Sequence, residues 1–457
     1  MGALLARSGA GMLDRLIERC RTAAVHTPEG VVSDVVGLIV EVGGLNAAVG
    51  DTLLIQDGSG AQLDVEVVGF RGGSLLTTPL GPLVGIRPGA RAVRMMRGAT
   101  IPCSFDLLGR VVDSFGRPLD GGPAIDPERV MPVNAPPPPA FGRKPIDHQL
   151  STGVRVIDAM LPLGVGQRMG IFAGAGVGKS TLLGQICRTC QADVNVVGLI
   201  GERGRELNDF IRSSLGPEGL ARSVVVAATS DMPPLVRARG AESATAIAEF
   251  FRNQGKSVLL VMDSVTRYAM ALREAALAAG EPPATKGYPP SVFAALPRLL
   301  ERAGTSPGAG VITALYTVLV EGDDLSDPIA DSVRSIIDGH IVLSRGLAEK
   351  GHFPAVDVLK SISRLAPEIS PEPVMRAAAT VRDMMSTFRD AQDLIQVGAY
   401  VAGSDPRVDL AVAAQPHIDN FLRQKVTDGV PAEQSIKHLA QLAAFAQQQQ
   451  QARGGRK

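Results

Sequence analysis

The sequence carries no excess of charge: 46 Lys and Arg stand against 46 Asp and Glu, so no global basic field draws nucleic acid or anionic lipid. Aromatic residues are scarce, at 4% with no tryptophan, which leaves little for single-stranded nucleic acid to stack on. The four cysteines, Cys20, Cys103, Cys187 and Cys190, are too few and too scattered for a disulfide framework and suit a reducing compartment. The six histidines show no metal-ligand spacing. No apolar run approaches the ~20 residues of a membrane span. No secretory pattern opens the chain, and no internal repeat is evident. These absences predict a soluble protein that stays in the cytoplasm.

What is present divides the 457 residues into about three domains. Residues 1–24 read as an amphipathic helix, with Leu13, Leu16, Ile17 and Cys20 on one stripe. It packs on its own domain, or it serves as a docking or membrane-surface segment. Residues 25–96 hold short apolar runs (35–42, 52–55, 63–68) between Gly-Gly, Asp-Gly and Gly-Ser turns, the pattern of a small β-barrel. A Pro/Gly-rich passage from Leu108 to Pro139 reads as a connector. Residues 97–371 include it and then alternate strand and helix patterns, as an α/β domain with a mostly parallel sheet requires. Residues 372–446 are Ala-rich and helical, with Ile436, Leu439, Ala440 and Ala443 on one stripe, and 447–457 read as a disordered tail.

The chemistry is concentrated in the α/β region. Ile171-Phe-Ala-Gly-Ala-Gly-Val-Gly-Lys-Ser-Thr181 follows a strand-like run and has the order of a phosphate-binding loop. Gly174, Ala175, Gly176, Val177, Gly178, Lys179, Ser180 and Thr181 form the expected cradle. The glycines turn backbone N–H groups inward, Lys179 meets the β/γ-phosphates, and the Ser180 hydroxyl can ligate Mg²⁺. The strict pattern has Gly where this chain has Ala173, and a small residue serves there. The chain is therefore expected to bind ATP with Mg²⁺. Cys187-Arg-Thr-Cys190 spells CxxC, but it falls on the helix after the loop and reads as packing.

Two further strand ends supply carboxylates. The run 258–262 ends in Asp263, placed to hold the Mg²⁺ shell. The run 194–200 ends in Gly201-Glu202-Arg203, where Glu202 either polarises the attacking water or only salt-bridges a neighbouring Arg. Charge on the transferred phosphoryl group also needs a cation from outside the loop, and Arg364, after the strand-like run 355–359, is the candidate. If it serves a neighbouring copy, the protein must be oligomeric to act. The acidic run Glu321-Gly-Asp-Asp324 with Asp327 reads as a solvated loop rather than a second metal site.

Long motifs then carry a resemblance. Gly201-Glu-Arg-Gly-Arg-Glu206, Asp263-Ser-Val-Thr-Arg-Tyr268, Gly287-Tyr-Pro-Pro-Ser291, Tyr316-Thr-Val-Leu-Val-Glu-Gly-Asp-Asp324 and Asp338-Gly-His-Ile-Val-Leu-Ser-Arg345 resemble the ATPases of type III secretion, relatives of the rotary ATP synthase catalytic subunit. The resemblance implies a β-barrel, a RecA-like P-loop domain and a C-terminal helical domain in a homohexamer. It also implies catalytic roles for Lys179, Glu202 and Arg364 (the last a finger from the adjacent subunit), and metal roles for Ser180 and Asp263. Phe353 stands where the synthase has an adenine-stacking Tyr. Implied partners are a stator-like regulator at the N-terminus, a central stalk, export-gate proteins, and export chaperones with their substrates, at the inner face of the membrane and without nucleic acid. The loop resembles the flagellar form more than the injectisome form. A rotary synthase subunit, a transcription-terminator-type motor and a non-hydrolytic binding module are the competing readings. A complete catalytic set with its own finger, balanced charge and the two carboxylates weigh against these in turn.

Overall fold

The computed structural model describes residues 28–57, 60, 62–95, 98–320 and 327–454. The amphipathic segment and the acidic run at 321–324 lie outside the described residues. Asp327, which closes that run, caps the next helix by accepting from the N–H groups of Ile329 (2.9 Å) and Ala330 (3.3 Å).

Six antiparallel strands form the first compact unit: β1 (Glu29–Val36), β2 (Ile39–Gly43), β3 (Thr52–Gln56), β4 (Gln62–Arg71), β5 (Ser74–Pro79) and β6 (Arg91–Arg94). They close in the order β1-β2-β5-β4-β3-β6. Period-two alternation turns Val32, Val40, Val42, Leu53, Ile55 and Val65 inward. The apolar run 35–42 is not one strand. Gly37, at φ 58°, reverses the chain between Val36 and Ile39, a backbone that glycine adopts without strain.

From Ala99 onward the described residues form a second unit. β7 (Thr100–Cys103) pairs with β9 (Arg129–Pro132), and β10 (Gln149–Leu150) with β11 (Leu163–Gly164). The main sheet has eight strands: β8 (Val111–Val112), β12 (Arg168–Ala173), β13 (Val194–Glu202), β14 (Ser223–Thr229), β15 (Ser257–Asp263), β16 (Val311–Leu319), β17 (Gly339–Leu343) and β18 (Ile362–Ser363). Their order is β18-β17-β12-β16-β15-β13-β14-β8, and every neighbouring pair is parallel except β17 with β18. Alternate residues serve two cores. Val196, Leu260 and Tyr316 face the helices Pro234–Asn253, Val265–Ala278 and Pro290–Leu300. Val197, Val261 and Leu315 face the helix Lys179–Thr189 and the C-terminal helices. Burial on both faces explains why these strands read as unbroken apolar runs.

Several expectations are corrected. The passage 108–139 is not a mere connector: Val111 and Val112 add β8 beside β14, because a Val-Val pair between turns can be covered on both sides. Residues 355–359 are not a strand. They hold one isolated bridge at Val356 and a 3-10 turn, Val358–Lys360, capped by Asp357. The last helix, Ala432–Gly454, buries Leu439, Ala443 and Ala446, while Ala440 is exposed. It also continues through the glutamine run instead of ending at 446, in keeping with glutamine's good helix propensity.

A buried ion pair joins the helix Pro234–Asn253 to the end of Pro290–Leu300. Arg302 donates to both Glu249 oxygens, at 3.1 and 2.6 Å, and to the Val133 carbonyl. Breaking such a pair strands a charge, which costs more than replacing both partners. Glu249→Leu is expected to lower stability in urea melts by about 3–5 kcal/mol, and adding Arg302→Met to recover most of that loss.

Candidate nucleotide site

β12 delivers the chain to the loop, and the loop's shape follows from its glycines. Gly176 (φ 78°) and Gly178 (φ 88°) occupy the left-handed region. A Cβ built on Gly176 would meet nothing within 4 Å, so the loop borders open space. The Val177 side chain is buried and pins the loop to the core, while Ala175, Gly176, Ser180 and Thr181 are exposed. Gly178 caps the helix Lys179–Thr189 without any side-chain hydrogen bond. The first-turn N–H groups of this helix therefore have no side-chain acceptor from the cap, and an anion supplies one. The thiols of Cys187 on this helix and of Cys190 at its C-cap are buried and pushed up to about 12 by that burial, so they pack, as expected.

Because β12, β13 and β15 are parallel, their carboxyl ends converge on the loop. Lys179 Nζ makes a short ion pair with Asp263 Oδ1 and lies 3.9 Å from Glu202 Oε1. Asp263 is buried and also accepts from the Thr317 hydroxyl at 2.7 Å. Burial, then the Asp263 charge, push the Glu202 carboxyl up to about 7, with Lys179 opposing. The reading of Glu202 as a partner of a neighbouring Arg does not hold among the described residues. Its ion-pair partner is Lys179, and Arg203 pairs with Glu206 at 3.4 Å.

Two carboxylates share one ammonium, so once Glu202 is ionised the cluster carries a net negative charge beside an anion cradle, a combination that fits a divalent cation carried in with a phosphate chain. Among the described residues no three His, Cys, Asp or Glu side chains cluster as a metal cage. That fits Mg²⁺, which keeps water and phosphate ligands and needs few from protein.

On the other side of the loop stands Phe353, 43% exposed. A Cβ on Gly178 would lie 3.4 Å from its ring, so the phenyl group borders the loop's end. Phe353, Arg155, His417, Phe421, Gln424 and Phe445 line a cavity of about 800 Å³, within the range of small-molecule sites. The Phe353 carbonyl accepts from Gln424 N at 3.0 Å. Gln424 in turn donates through Nε2 to the Gly153 carbonyl at 2.8 Å. From the loop's own helix, Gln185 donates to the Asp428 carbonyl at 2.9 Å and Arg188 to the Val426 carbonyl at 2.9 Å. Thr317, Arg155, Phe421 and Gln424 escaped the sequence reading. A threonine at the carboxyl half of an otherwise apolar strand run, the second of two in it, was the one visible signal.

Arg364 is not brought to this site. It follows β18, whose Ser363 pairs with Gly339 at the amino end of β17. The loop follows Ala173, which pairs with Leu343 at the carboxyl end. The two ends are about 13–17 Å apart at ~3.3 Å per residue. The Arg364 guanidinium donates to the carbonyls of Ile337 (3.3 Å) and Arg334 (3.4 Å).

Residues 153–363 match the ATP synthase alpha/beta family, nucleotide-binding domain, and residues 370–441 match the T3SS EscN ATPase C-terminal domain. The chain is 50% identical to the flagellum-specific ATP synthase of Pseudomonas aeruginosa, over 96% of its own length and 98% of that protein. It is 47% identical to the type 3 secretion system ATPase of Xanthomonas euvesicatoria, over 94% and 97%. It is also similar to the solved structure of the assembled ATPase EscN in complex with its central stalk EscO, from the type III secretion system of enteropathogenic E. coli. There the TM-score is 0.84 at 42% identity, covering 91% of this chain and 100% of that one.

The raised Glu202 carboxyl has a signed consequence for stability. The native state holds a proton that the unfolded chain releases, so stability falls as pH rises from the ordinary carboxylate range to about 7. Glu202→Gln removes this penalty. Without nucleotide or metal, the variant is expected to exceed wild type by about 1–3 kcal/mol in denaturant melts at pH 8, with the gap closing toward pH 4.

Proposed function

Since the chain belongs to the ATP synthase alpha/beta family, in its branch of flagellar and type III secretion ATPases, and is an ATP-hydrolysing enzyme, we propose that it energises protein export through a flagellar-type secretion apparatus. The observation that carries this is the near full-length match to a flagellum-specific ATP synthase, supported by Lys179, Asp263 and Glu202 lying together at the phosphate loop. Export through an injectisome is the second reading, supported by the 47% identity to a type 3 secretion system ATPase. A synthase subunit would borrow its finger from a different chain, whereas Arg364 is supplied here.

In the proposed reaction Lys179 exchanges Asp263 for phosphate oxygens, while loop N–H groups and the helix end orient the phosphate chain. Ser180 and Asp263 would hold Mg²⁺, which when bound would supply charge neutralisation to the phosphate chain. Glu202, with a carboxyl shifted to about 7, orients the attacking water and takes its proton near neutral pH. Phe353 stacks on the base within the cavity. Arg364 lies at the far end of its own sheet, so it serves the loop of an adjacent copy, and the active form is a homo-oligomer, read as a hexamer.

The solved relative was captured with a central stalk, and a stalk is the proposed partner of this assembly. Chaperone-bound cargo, export-gate proteins and a stator-like regulator on the N-terminal segment complete the proposed set, at the cytoplasmic face of the membrane. Among the described residues no helix is long and apolar enough to cross a membrane.

Hydrolysis measured over a wide range of protein concentration tests this reading. Specific activity is expected to climb with concentration, and to fall by ~10³ or more in Arg364→Ala. Near-zero activity at every concentration would instead indicate a missing partner subunit. Glu202→Gln is expected to bind ATP about as well as wild type while turnover drops ~10²–10⁴-fold, read by equilibrium binding alongside single-turnover hydrolysis.

A further inference from the structure

Thr317 lies inside β16, the strand between the loop-bearing β12 and the Asp263-bearing β15. It sits opposite Ile171, with its predecessor Tyr316 opposite Met262, so its hydroxyl comes level with Asp263. The residue is fully buried. Its neighbours along the strand, Leu315, Val318 and Leu319, are apolar. A valine here would have the same shape, suit a strand equally well and bury no polar atom. The hydroxyl therefore needs a reason, and its partners give one. Both are acceptors: Asp263 Oδ1 at 2.7 Å and the Met262 carbonyl at 3.2 Å. A hydroxyl has one proton to donate, and the shorter contact, to a charged oxygen, is the stronger.

Asp263 Oδ1 thus receives two donors, Thr317 Oγ1 and Lys179 Nζ. They differ in permanence. Lys179 is on a flexible stem beside the loop and is the group an incoming phosphate chain draws away. Thr317 is held by the sheet backbone and packed on all sides. Once Lys179 leaves, Thr317 supplies the remaining hydrogen bond to this carboxylate among the described residues.

We propose that Thr317 is a positioning residue, holding the Asp263 carboxylate in the orientation that receives the nucleotide-bound metal after Lys179 has moved to phosphate. The inference rests on the reading of Asp263 as the metal-side carboxylate. Partners of this kind, which bond a metal-side ligand without touching the metal, typically matter 10–100-fold in metal affinity or activity when removed.

The test uses the full chain with Thr317→Val, Thr317→Ser and Asp263→Asn. A fluorescent ADP analogue is titrated with Mg²⁺ and again in EDTA, and ATP turnover and thermal melts are recorded in parallel. Thr317→Val is expected to raise the Mg²⁺ concentration for half-maximal nucleotide binding ~10-fold or more and to lower turnover ~10–100-fold. Its metal-free nucleotide binding and its melting temperature stay near wild type. Thr317→Ser, which keeps the hydroxyl, is expected to restore most of the Mg²⁺ response. If Thr317→Val is unstable, Thr317→Ala removes the hydroxyl with less crowding and is read the same way. A wild-type Mg²⁺ titration in Thr317→Val, or an equal loss in Thr317→Ser, would overturn the proposal. A normal Mg²⁺ response in Asp263→Asn would overturn the underlying site reading instead, so the two failures are distinguishable.

Discussion

One ammonium group between two carboxylates organises the functional half of this molecule. Lys179 reaches Asp263 and Glu202 only because β12, β13 and β15 run parallel and end together. That convergence demands helices on both faces of the sheet, which in turn fixes the unbroken apolar strands and the two alternating cores. The local charge balance is also fixed there. A lone lysine at a helix start would suffice to attract phosphate. Two acidic groups beside it raise the cost of leaving the site without a further cation, and burial, with the Asp263 charge next to it, pushes Glu202 up to about 7, where a base is useful.

Local chemistry was legible in the sequence wherever chain neighbours do the work. The glycine spacing of the loop, the carboxylates at the ends of apolar runs and the packing of Cys187 and Cys190 all follow from residues adjacent in the chain. What could not be read depends on partners far apart. Thr317 acquires its role from a strand more than fifty residues earlier, and Gln424 from Gly153, 271 residues away. The misread passages have the same origin. Val111 and Val112 look like part of a connector until β14 is found beside them. The run at 35–42 looks like one strand until Gly37 turns it.

The cavity beside Phe353 shows how the C-terminal helices enter the site. Residues 424–428 take hydrogen bonds from the loop's own helix through Gln185 and Arg188, and give one to the Phe353 carbonyl. The Phe353 cavity and the phosphate-loop helix are thus tied to a single short segment. A shift of the loop helix pulls directly on the segment that follows the helix Pro406–Leu422. This provides a route by which occupancy of the cradle reaches the helical end of the chain, made of the Gln185 and Arg188 side chains on backbone acceptors.

The placement of Arg364 at the opposite end of its sheet from the phosphate loop makes each subunit directional. A contact in which one copy's arginine meets another copy's loop is head-to-tail, so it leaves one end of the pair still able to bind. Such contacts propagate until the rotation closes on itself. An open row always has one fewer completed site than it has copies, with a bare loop at one end and an unused arginine at the other. In the proposed assembly the last subunit to join would therefore complete two contacts at once, and the step that closed the ring would also be the step that brought every site into service.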